Sequence, residues 1–154
     1  MSKVEEKLAE LGFTLPDVVP PVAAYVPAIR SGEYVLTSGQ LPMVAGKLPT
    51  TGKVGGEVTA EEAKELAQIC ALNGLAAIKS VIGDLDKLEQ VVKVVGFVAS
   101  APDFTGQPLV INGASEFLGE VLGAAGVHAR SAVGVAALPL DAPVEIEFQV
   151  RVRD

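Results

Sequence analysis

The chain contains a single cysteine, Cys70, among 154 residues, so no disulfide bond can form within it. A lack of disulfides is typical of a reducing compartment, and the cytoplasm is the simplest location. Basic residues are also scarce, because 12 lysines and arginines stand against 19 acidic residues and leave a formal net charge of −7. Nucleic-acid binding depends on clustered lysine and arginine. The charge therefore argues against a nucleic-acid partner and favours a small-molecule ligand.

Long apolar runs are missing as well. No run approaches the ~18 residues that a membrane-spanning helix requires. The first residues, MSKVEEKLAELGF, form a polar amphipathic pattern without the apolar centre of a secretion signal. We therefore expect neither a membrane span nor secretion.

Three features that could carry chemistry have simpler explanations. His128 is the only histidine; it could serve in acid–base work, although a histidine in a loop before a strand is more often structural. No cysteine or acidic cluster accompanies it, so no metal site is predicted. Cys70 lies on the apolar face of a helical pattern and is expected to pack as a small hydrophobic residue. Residues 52–56 are glycine-rich but lack the strand-to-helix setting of a phosphate loop.

The periodicity of the chain predicts one α+β domain over residues 1–154, with a helical N-terminal extension at 1–19. A capping box at Thr59–Glu62 predicts the start of a long helix that ends at Gly83. The other predicted elements are, in chain order, a helix at 2–11, an extended stretch marked by Pro16, Pro20, Pro21 and Pro27, a strand at 34–38, a loop or short hairpin at 43–58, a strand at 90–99 buried on both faces, a helix at 108–122, and strands at 130–137 and 143–152.

The two C-terminal strands carry the strongest candidates for a functional site. The run 143–152 alternates strictly and places Glu145 and Glu147 on its polar face. The run 130–137 is small and apolar but opens with Arg130, and a guanidinium beside a dry strand is costly unless it meets an anion. Glu145 on the neighbouring strand is a natural second member of such a site. Two simpler explanations stay open: Arg130 could form an ion pair across a subunit boundary, and Glu145 could be an ordinary solvent-facing strand residue.

The predicted layers leave one face of the sheet without a cover. Two helices can cover only one face. The other face is expected to present the small residues Ala132, Gly134 and Ala136, which a partner must hide. A second copy of the same chain is the commonest partner, so we expect a homo-oligomer.

Several short motifs occur in an order that resembles the RidA/YjgF/YER057c/UK114 family. These motifs are Ser38-Gly39-Gln40, Asn112, Ala129-Arg130-Ser131, Leu138-Pro139 and Val144-Glu145-Ile146-Glu147, within about residues 20–152. The segments 96–104, 112–115 and 128–134 are similar to the longer subgroup of the family, whose members are often named endoribonuclease L-PSP.

This resemblance implies a chorismate-mutase-like α+β fold, in which a mixed sheet carries two helices on one face, and a homotrimer with three clefts between subunits. Characterised members hydrolyse reactive imines and enamines to 2-keto acids and ammonia, and no cofactor or metal is expected. By the same resemblance, Arg130 holds the substrate carboxylate and Glu145 lies beside the reacting water. Tyr25, Ser38 and Gly39 are implied to line the cleft. Asn112 either joins them or is only a first-turn residue of its helix.

One position departs from the family pattern. Many members carry a cysteine two residues after the arginine, where this chain has Ala132, so Ala132 is expected to line the cleft without supplying a thiol. The leading hypothesis is an enamine/imine deaminase that acts on small 2-imino acids. A non-catalytic trimer with a small-molecule-binding or regulatory role is the main alternative. Ribonuclease activity is a weaker one, because the net charge of −7 opposes it.

Overall fold

The computed structural model describes residues 1–18 and 23–154. The predicted extended stretch therefore falls partly outside the described residues, because Pro20 and Pro21 lie in the gap. The described helices are α1 (Lys3–Glu10), α2 (Ala60–Ile82) and α3 (Gln107–Leu122), and the strands are β1 (Ala28–Ser31), β2 (Tyr34–Thr37), β3 (Leu88–Ala99), β4 (Ala129–Val135) and β5 (Val144–Val152). Short 3-10 turns occupy Leu85–Lys87, Gly123–Gly126 and Pro139–Asp141.

The five described strands form one mixed sheet in the order β1-β2-β5-β3-β4. Only the β3–β4 pair is parallel, and the other three pairs are antiparallel. The predicted α+β architecture, a mixed sheet with two long helices packed on one face, is confirmed. Strand β1 was not predicted, because three of its four residues are exposed and give no apolar alternation. It pairs with β2 through a tight turn at Gly32, whose φ is 62°.

The ends of α2 follow from local chemistry. The Thr59 side chain accepts a hydrogen bond from the Glu62 backbone N–H, as a capping box requires, and Gly83 ends the helix with a φ of 79°. With 23 residues α2 is long and apolar enough to cross a membrane, but 56% of its most apolar 18-residue stretch is buried inside the molecule. That burial, against the sheet and α3, is what the core helix of a folded domain requires.

Glycines allow both long helices to approach their neighbours closely. A Cβ at Gly74 would lie 2.5 Å from the Phe148 ring, so α2 packs directly on β5. A Cβ at Gly113 would lie 1.9 Å from the Lys64 carbonyl oxygen, so the backbones of α2 and α3 nearly touch. These contacts hold α3 firmly above β3 and β4, where its polar side chains meet the start of β4.

The N-terminal extension packs onto this core. The Asp86 carboxylate accepts hydrogen bonds from the backbone N–H groups of Lys3 and Val4, at 2.9 and 3.2 Å, and so caps the N-terminus of α1. Leu8 is fully buried, and Phe13 meets Phe117 edge to face at 5.1 Å between ring centroids. The extension is thus attached to the helix layer and lies away from the open face of the sheet.

Within a single chain only one face of β3 is buried. Val91, Val94 and Val98 are buried under the helices, whereas Val95 and Phe97 on the other face are only partly buried. The predicted face of Ala132 and Gly134 is wrong. In the β3–β4 register they pair with Gly96 and Val98, which places them on the helix side of the sheet, and Ala132 packs against the core.

The open face of the sheet instead carries larger side chains. Val133 pairs with Phe97, which pairs in turn with Glu145, so these three share the face opposite the helices. The exposed apolar residues there include Ile29, Leu36 and Val133. The expectation of an uncovered apolar face is therefore met by residues other than those predicted to form it.

Candidate functional site

Arg130 is the second residue of β4 and lies on the helix side of the sheet, paired with Val94. Its Nη1 donates hydrogen bonds to Asn112 Oδ1 at 2.8 Å and to Ser115 Oγ at 3.1 Å. Its Nη2 donates to the Pro108 carbonyl oxygen at 3.1 Å. The three acceptors come from positions i, i+4 and i+7 of α3, which share one helix face. We call Arg130, Asn112, Ser115 and Pro108 the arginine cluster.

No carboxylate neutralises Arg130 among its hydrogen-bond partners in the described part of the chain. A guanidinium has five N–H donors in one plane. Three of them are used in the arginine cluster, and the hydrogen bonds of the described residues leave the Nε–H and one Nη2–H without a partner. Two adjacent donors of this kind match the geometry of a carboxylate.

Ser115 also contacts His128. The Ser115 Oγ lies 2.8 Å from His128 Nε2, and His128 Nδ1 lies 2.6 Å from the Gly126 carbonyl oxygen. A carbonyl oxygen only accepts, so Nδ1 carries the proton in this arrangement and, in the neutral ring, Nε2 accepts from the Ser115 hydroxyl. The single histidine is thus joined to Arg130 through one serine. Ser115 was not among the predicted residues, although its place one helical turn after Asn112 could have indicated it.

A second group of predicted residues meets where β2 ends beside the start of β5. Gln40 and Ile146 exchange backbone hydrogen bonds of 2.8 and 3.0 Å, which places the Ser38-Gly39-Gln40 bend against β5. A Cβ at Gly39 would lie 2.5 Å from Glu145 Oε2. Ser38 donates through Oγ to the Val26 carbonyl oxygen at 2.5 Å. We call Ser38, Gly39 and Glu145 the glutamate cluster.

Tyr25 is connected to the glutamate cluster through its neighbour in the chain. It precedes Val26, whose carbonyl oxygen accepts the Ser38 hydrogen bond. Its side chain is exposed, and its backbone N–H donates to the Ala23 carbonyl oxygen at 2.9 Å. Tyr25 therefore directly precedes the residue that anchors Ser38, and its own side chain is exposed.

Glu145 sits in an environment that disfavours its charge. Partial burial, and then the nearby Glu147 carboxylate, raise the pKa of Glu145 above its ordinary value. Cys70 is fully buried behind this strand, and burial raises the pKa of its thiol well above the usual range. A buried thiol held in its protonated form is a poor nucleophile, in keeping with the predicted packing role of Cys70.

One chain does not bring the arginine and glutamate clusters together. Arg130 lies on β4, Glu145 on β5, and β3 runs between them. Their register partners on β3, Val94 and Phe97, are three residues apart, which gives about 10 Å along the strands and about 10 Å across them. The side chains also project from opposite faces of the sheet. Of the predicted site residues, Asn112 joins Arg130, Ser38 and Gly39 lie with Glu145, and Tyr25 precedes the residue whose carbonyl oxygen Ser38 contacts. Ala132 follows Arg130 on the helix side.

The glycine-rich segment 52–56 binds a carboxylate of the same chain, that of Glu57. The Glu57 carboxylate accepts from the Lys53 backbone N–H at 2.9 Å, and this hydrogen bond lowers the pKa of Glu57. The Lys53 ammonium pairs with Asp141, which raises the pKa of Lys53. The segment is therefore a self-capped loop. No group of three metal-binding side chains occurs within residues 1–18 and 23–154.

The sheet order, the two helices on one face and the polar clusters at strand ends define a chorismate-mutase-like α+β protein. Residues 5–148 match the family model described as "YjgF/chorismate mutase-like, putative endoribonuclease". The chain belongs to this family. The resemblance read from the sequence motifs is thereby confirmed.

Three similar proteins span most of the chain. Protein TCP17 of Trypanosoma cruzi is 41% identical over 153 residues, which cover 99% of this chain and 96% of TCP17. The 2-iminobutanoate/2-iminopropanoate deaminase of Salmonella typhimurium is 35% identical over 82% of this chain and 85% of its own length. The crystal structure of Atu1372 from Agrobacterium tumefaciens, a protein of unknown function, has a TM-score of 0.92 at 50% identity and covers 98% of this chain and 93% of that one.

Proposed function

We propose that this protein is an enamine/imine deaminase that hydrolyses reactive small 2-imino acids to 2-keto acids and ammonia. The observation that carries the proposal is the uncompensated Arg130 guanidinium, whose Nε and Nη2 donors are left for one carboxylate. A planar 2-imino acid presents such a carboxylate next to its C=N bond. The 35% identity to a protein named 2-iminobutanoate/2-iminopropanoate deaminase supports the same substrate class.

Glu145 is proposed to act on the water. In the reaction the water oxygen bonds to the imine carbon, both water protons pass to the imine nitrogen, and the C–N bond breaks so that the nitrogen leaves as ammonia. A carboxylate whose pKa is raised by burial is better matched to taking up a proton near neutral pH and giving it to the leaving nitrogen. Ser38 and Gly39 would form the wall behind this carboxylate, and Tyr25 and Asn112 would line the substrate. Because the C=N carbon is already electrophilic, positioning supplies much of the catalysis.

A complete site requires more than one chain. The two clusters face opposite sides of a single sheet and stand about two strands apart. We propose a homotrimer in which the Arg130 edge of one chain meets the glutamate cluster of the next, giving three clefts between subunits. The exposed apolar residues Ile29, Leu36 and Val133 supply a surface that such assembly would bury.

A non-catalytic carboxylate-binding trimer is the second candidate. It is favoured by Ala132, which packs against the core where many relatives carry a cysteine, so this position offers no reactive side chain. Ribonuclease activity has less support. The net charge is −7, and Arg130 is the one cation in the arginine cluster, which is little for a polyphosphate backbone.

The deciding experiment measures hydrolysis of freshly generated 2-iminopropanoate above its spontaneous rate. We expect clear turnover by the wild-type protein, none by Arg130→Ala, and poor rescue by Arg130→Lys, because lysine lacks the two-pronged geometry. Arg30→Ala is the matched control. Arg30 lies on β1, at the opposite edge of the sheet from Arg130, and forms an ion pair with Asp154. Pyruvate binding without turnover would select the non-catalytic trimer. Unchanged pyruvate binding by Arg130→Ala would contradict both.

A further inference from the structure

His128, Ser115 and Arg130 form one continuous hydrogen-bonded chain. It runs from the Gly126 carbonyl oxygen through both ring nitrogens of His128 to Ser115 Oγ, and then to Arg130 Nη1, with separations of 2.6, 2.8 and 3.1 Å. Ser115 and His128 are partly buried between α3 and the start of β4. The family resemblance assigns no role to either residue.

The donor and acceptor of every hydrogen bond in this series follow from the Gly126 carbonyl oxygen at its end. The Gly126 carbonyl oxygen can only accept, so His128 Nδ1 must donate. The Nε2 of the neutral ring then accepts the Ser115 hydroxyl proton. Ser115 is thereby left with its oxygen lone pairs turned to Arg130 Nη1, which as a guanidinium nitrogen can only donate. Each partner has the one role that the next partner requires.

The result is a restrained guanidinium. With Ser115 and Asn112 as acceptors, both protons of Nη1 are committed, and the Pro108 carbonyl oxygen holds one proton of Nη2. Rotation about the Nε–Cζ bond, which exchanges Nη1 and Nη2, would break all three hydrogen bonds at once. The plane of the guanidinium is therefore set by α3 and His128, and only the edge formed by Nε and Nη2 is offered to a ligand.

We propose that Ser115 and His128 are positioning residues that hold the Arg130 guanidinium so that its Nε–Nη2 edge takes the carboxylate of a 2-imino or 2-keto acid. This inference rests on the function proposed above for Arg130. Neither residue needs to touch the substrate. His128 fixes the proton of Ser115, and Ser115 fixes the guanidinium. The pair thus makes the carboxylate site selective for a single, side-on carboxylate.

The first test observes Arg130 itself in the full-length protein without any ligand. The chain has four arginines, so 15N-labelled arginine gives few side-chain signals, and the set missing from Arg130→Lys belongs to Arg130. We expect separate, slowly rotating Nη1 and Nη2 signals in the wild type and in Ser115→Thr, which keeps the hydroxyl. The signals should merge in Ser115→Ala. They should also merge in His128→Asn, which keeps a donor for Gly126 but loses the acceptor for Ser115.

The second test measures the dissociation constant of pyruvate by calorimetry in the same variants. Ser115→Ala and His128→Asn should raise it about three- to tenfold, the usual effect of one lost hydrogen bond, and Ser115→Thr should restore it. In an Arg130→Lys background, which keeps a cation but has no Nη1 for Ser115 to hold, Ser115→Ala should have no further effect. Circular dichroism establishes that each variant is folded, and His128→Leu, which also lacks an acceptor for the Ser115 hydroxyl, replaces His128→Asn if that variant is not.

The two readouts separate this inference from the proposed function. The positioning role is overturned if the Nη signals stay separate in Ser115→Ala. It is also overturned if Ser115→Ala leaves the pyruvate dissociation constant unchanged while Arg130→Ala abolishes binding. Neither result would contradict the carboxylate site itself. If Arg130→Ala binds pyruvate like the wild type, the proposed site fails, and the Nη signals alone decide whether Ser115 and His128 restrain the guanidinium.

Discussion

Gly39 and Glu145 fit together so closely that the carboxylate occupies the space a side chain at residue 39 would need. A Cβ built on Gly39 lies 2.5 Å from Glu145 Oε2 and 2.8 Å from its carboxyl carbon. Gly39 is not among the residues with positive φ, so the backbone itself does not demand glycine here. The glycine is needed because of its neighbour, which makes residue 39 a direct probe of where the Glu145 carboxylate must stand.

Gly39→Ala should therefore reduce imine hydrolysis strongly while the protein stays folded. The added methyl meets the end of a flexible side chain, so Glu145 can swing away at little cost to stability but loses its place beside the water. Pyruvate affinity, which depends on Arg130, should be unchanged. Steady-state kinetics and calorimetry measure the two effects. In a double-mutant cycle with Glu145→Gln the losses should be far from additive, and full additivity would mean that the two residues act separately.

Glu145→Gln keeps the shape of the side chain but removes its charge. We expect a lower kcat with little change in pyruvate affinity, because an interaction used only as the transition state forms does not weaken ground-state binding. Glu147→Gln is the matched control, since Glu147 lies two residues further along the same face of β5. Equal losses from both substitutions would assign the effect to general charge at this face and would remove Glu145 from catalysis.

The raised pKa of Glu145 also predicts a pH-dependent change in stability. A carboxyl whose folded-state pKa lies above its ordinary value of 4.5 binds its proton more tightly in the folded protein. Its favourable contribution is complete below 4.5 and is lost as the pH rises through the folded-state pKa. Glu145→Gln should thus unfold at a higher temperature than the wild type at pH 7, with a difference that shrinks as the pH falls toward 4.5. Scanning calorimetry checks this, and a difference that grows on acidification would contradict the raised pKa.

The fold was largely predictable where a local signal exists. The Thr59 capping box, the Gly83 stop and the strict alternation of β5 each reflect chemistry within a few residues, and the structure follows them. Strand β1 was missed because a four-residue edge strand buries only Ala28 and pairs through backbone groups. The assignment of Ala132 and Gly134 to the open face failed for a related reason. Apart from Arg130, the residues on the two faces of β4 are all small, so composition does not reveal which face packs against the helices.

The site was predictable only as a set of residues. Arg130 and Glu145 could be selected because a charge beside a dry strand requires a partner, but nothing local to either indicates that they face opposite sides of the sheet. The link from Arg130 to His128 through Ser115 joins residues up to 15 positions apart on a helix and a strand. Such a contact depends on how α3 lies across β4, which is set by close approaches such as that of Gly113 to Lys64.

That close approach yields a stability prediction with an internal control. Gly113→Ala places a methyl 1.9 Å from the Lys64 carbonyl oxygen, so α2 and α3 must move apart, and overpacking of this kind costs about 1–3 kcal/mol. Gly119 lies on the same helix with nothing within 4 Å of the position of its Cβ. Gly119→Ala should therefore stabilise the protein by about 0.5–1 kcal/mol through helix propensity alone. Denaturant unfolding measures both, and equal effects of the two substitutions would contradict the tight helix contact.

Assembly provides the last prediction, because the proposed active site depends on it. Sedimentation equilibrium at micromolar concentration should give a species of three times the 15.8 kDa chain. Val133→Lys places a charge among Phe97, Glu145 and the other open-face residues, where it would have to be buried in the trimer, so we expect monomers that keep their secondary structure. Glu65→Lys, which introduces the same side chain on the exposed surface of α2, should leave the trimer intact. The Val133→Lys monomers should still contain both clusters but should have no imine hydrolase activity, because the arginine and glutamate clusters would no longer meet. A wild-type monomer with full turnover would show that one chain completes the site by itself, against the geometry of its two opposed clusters.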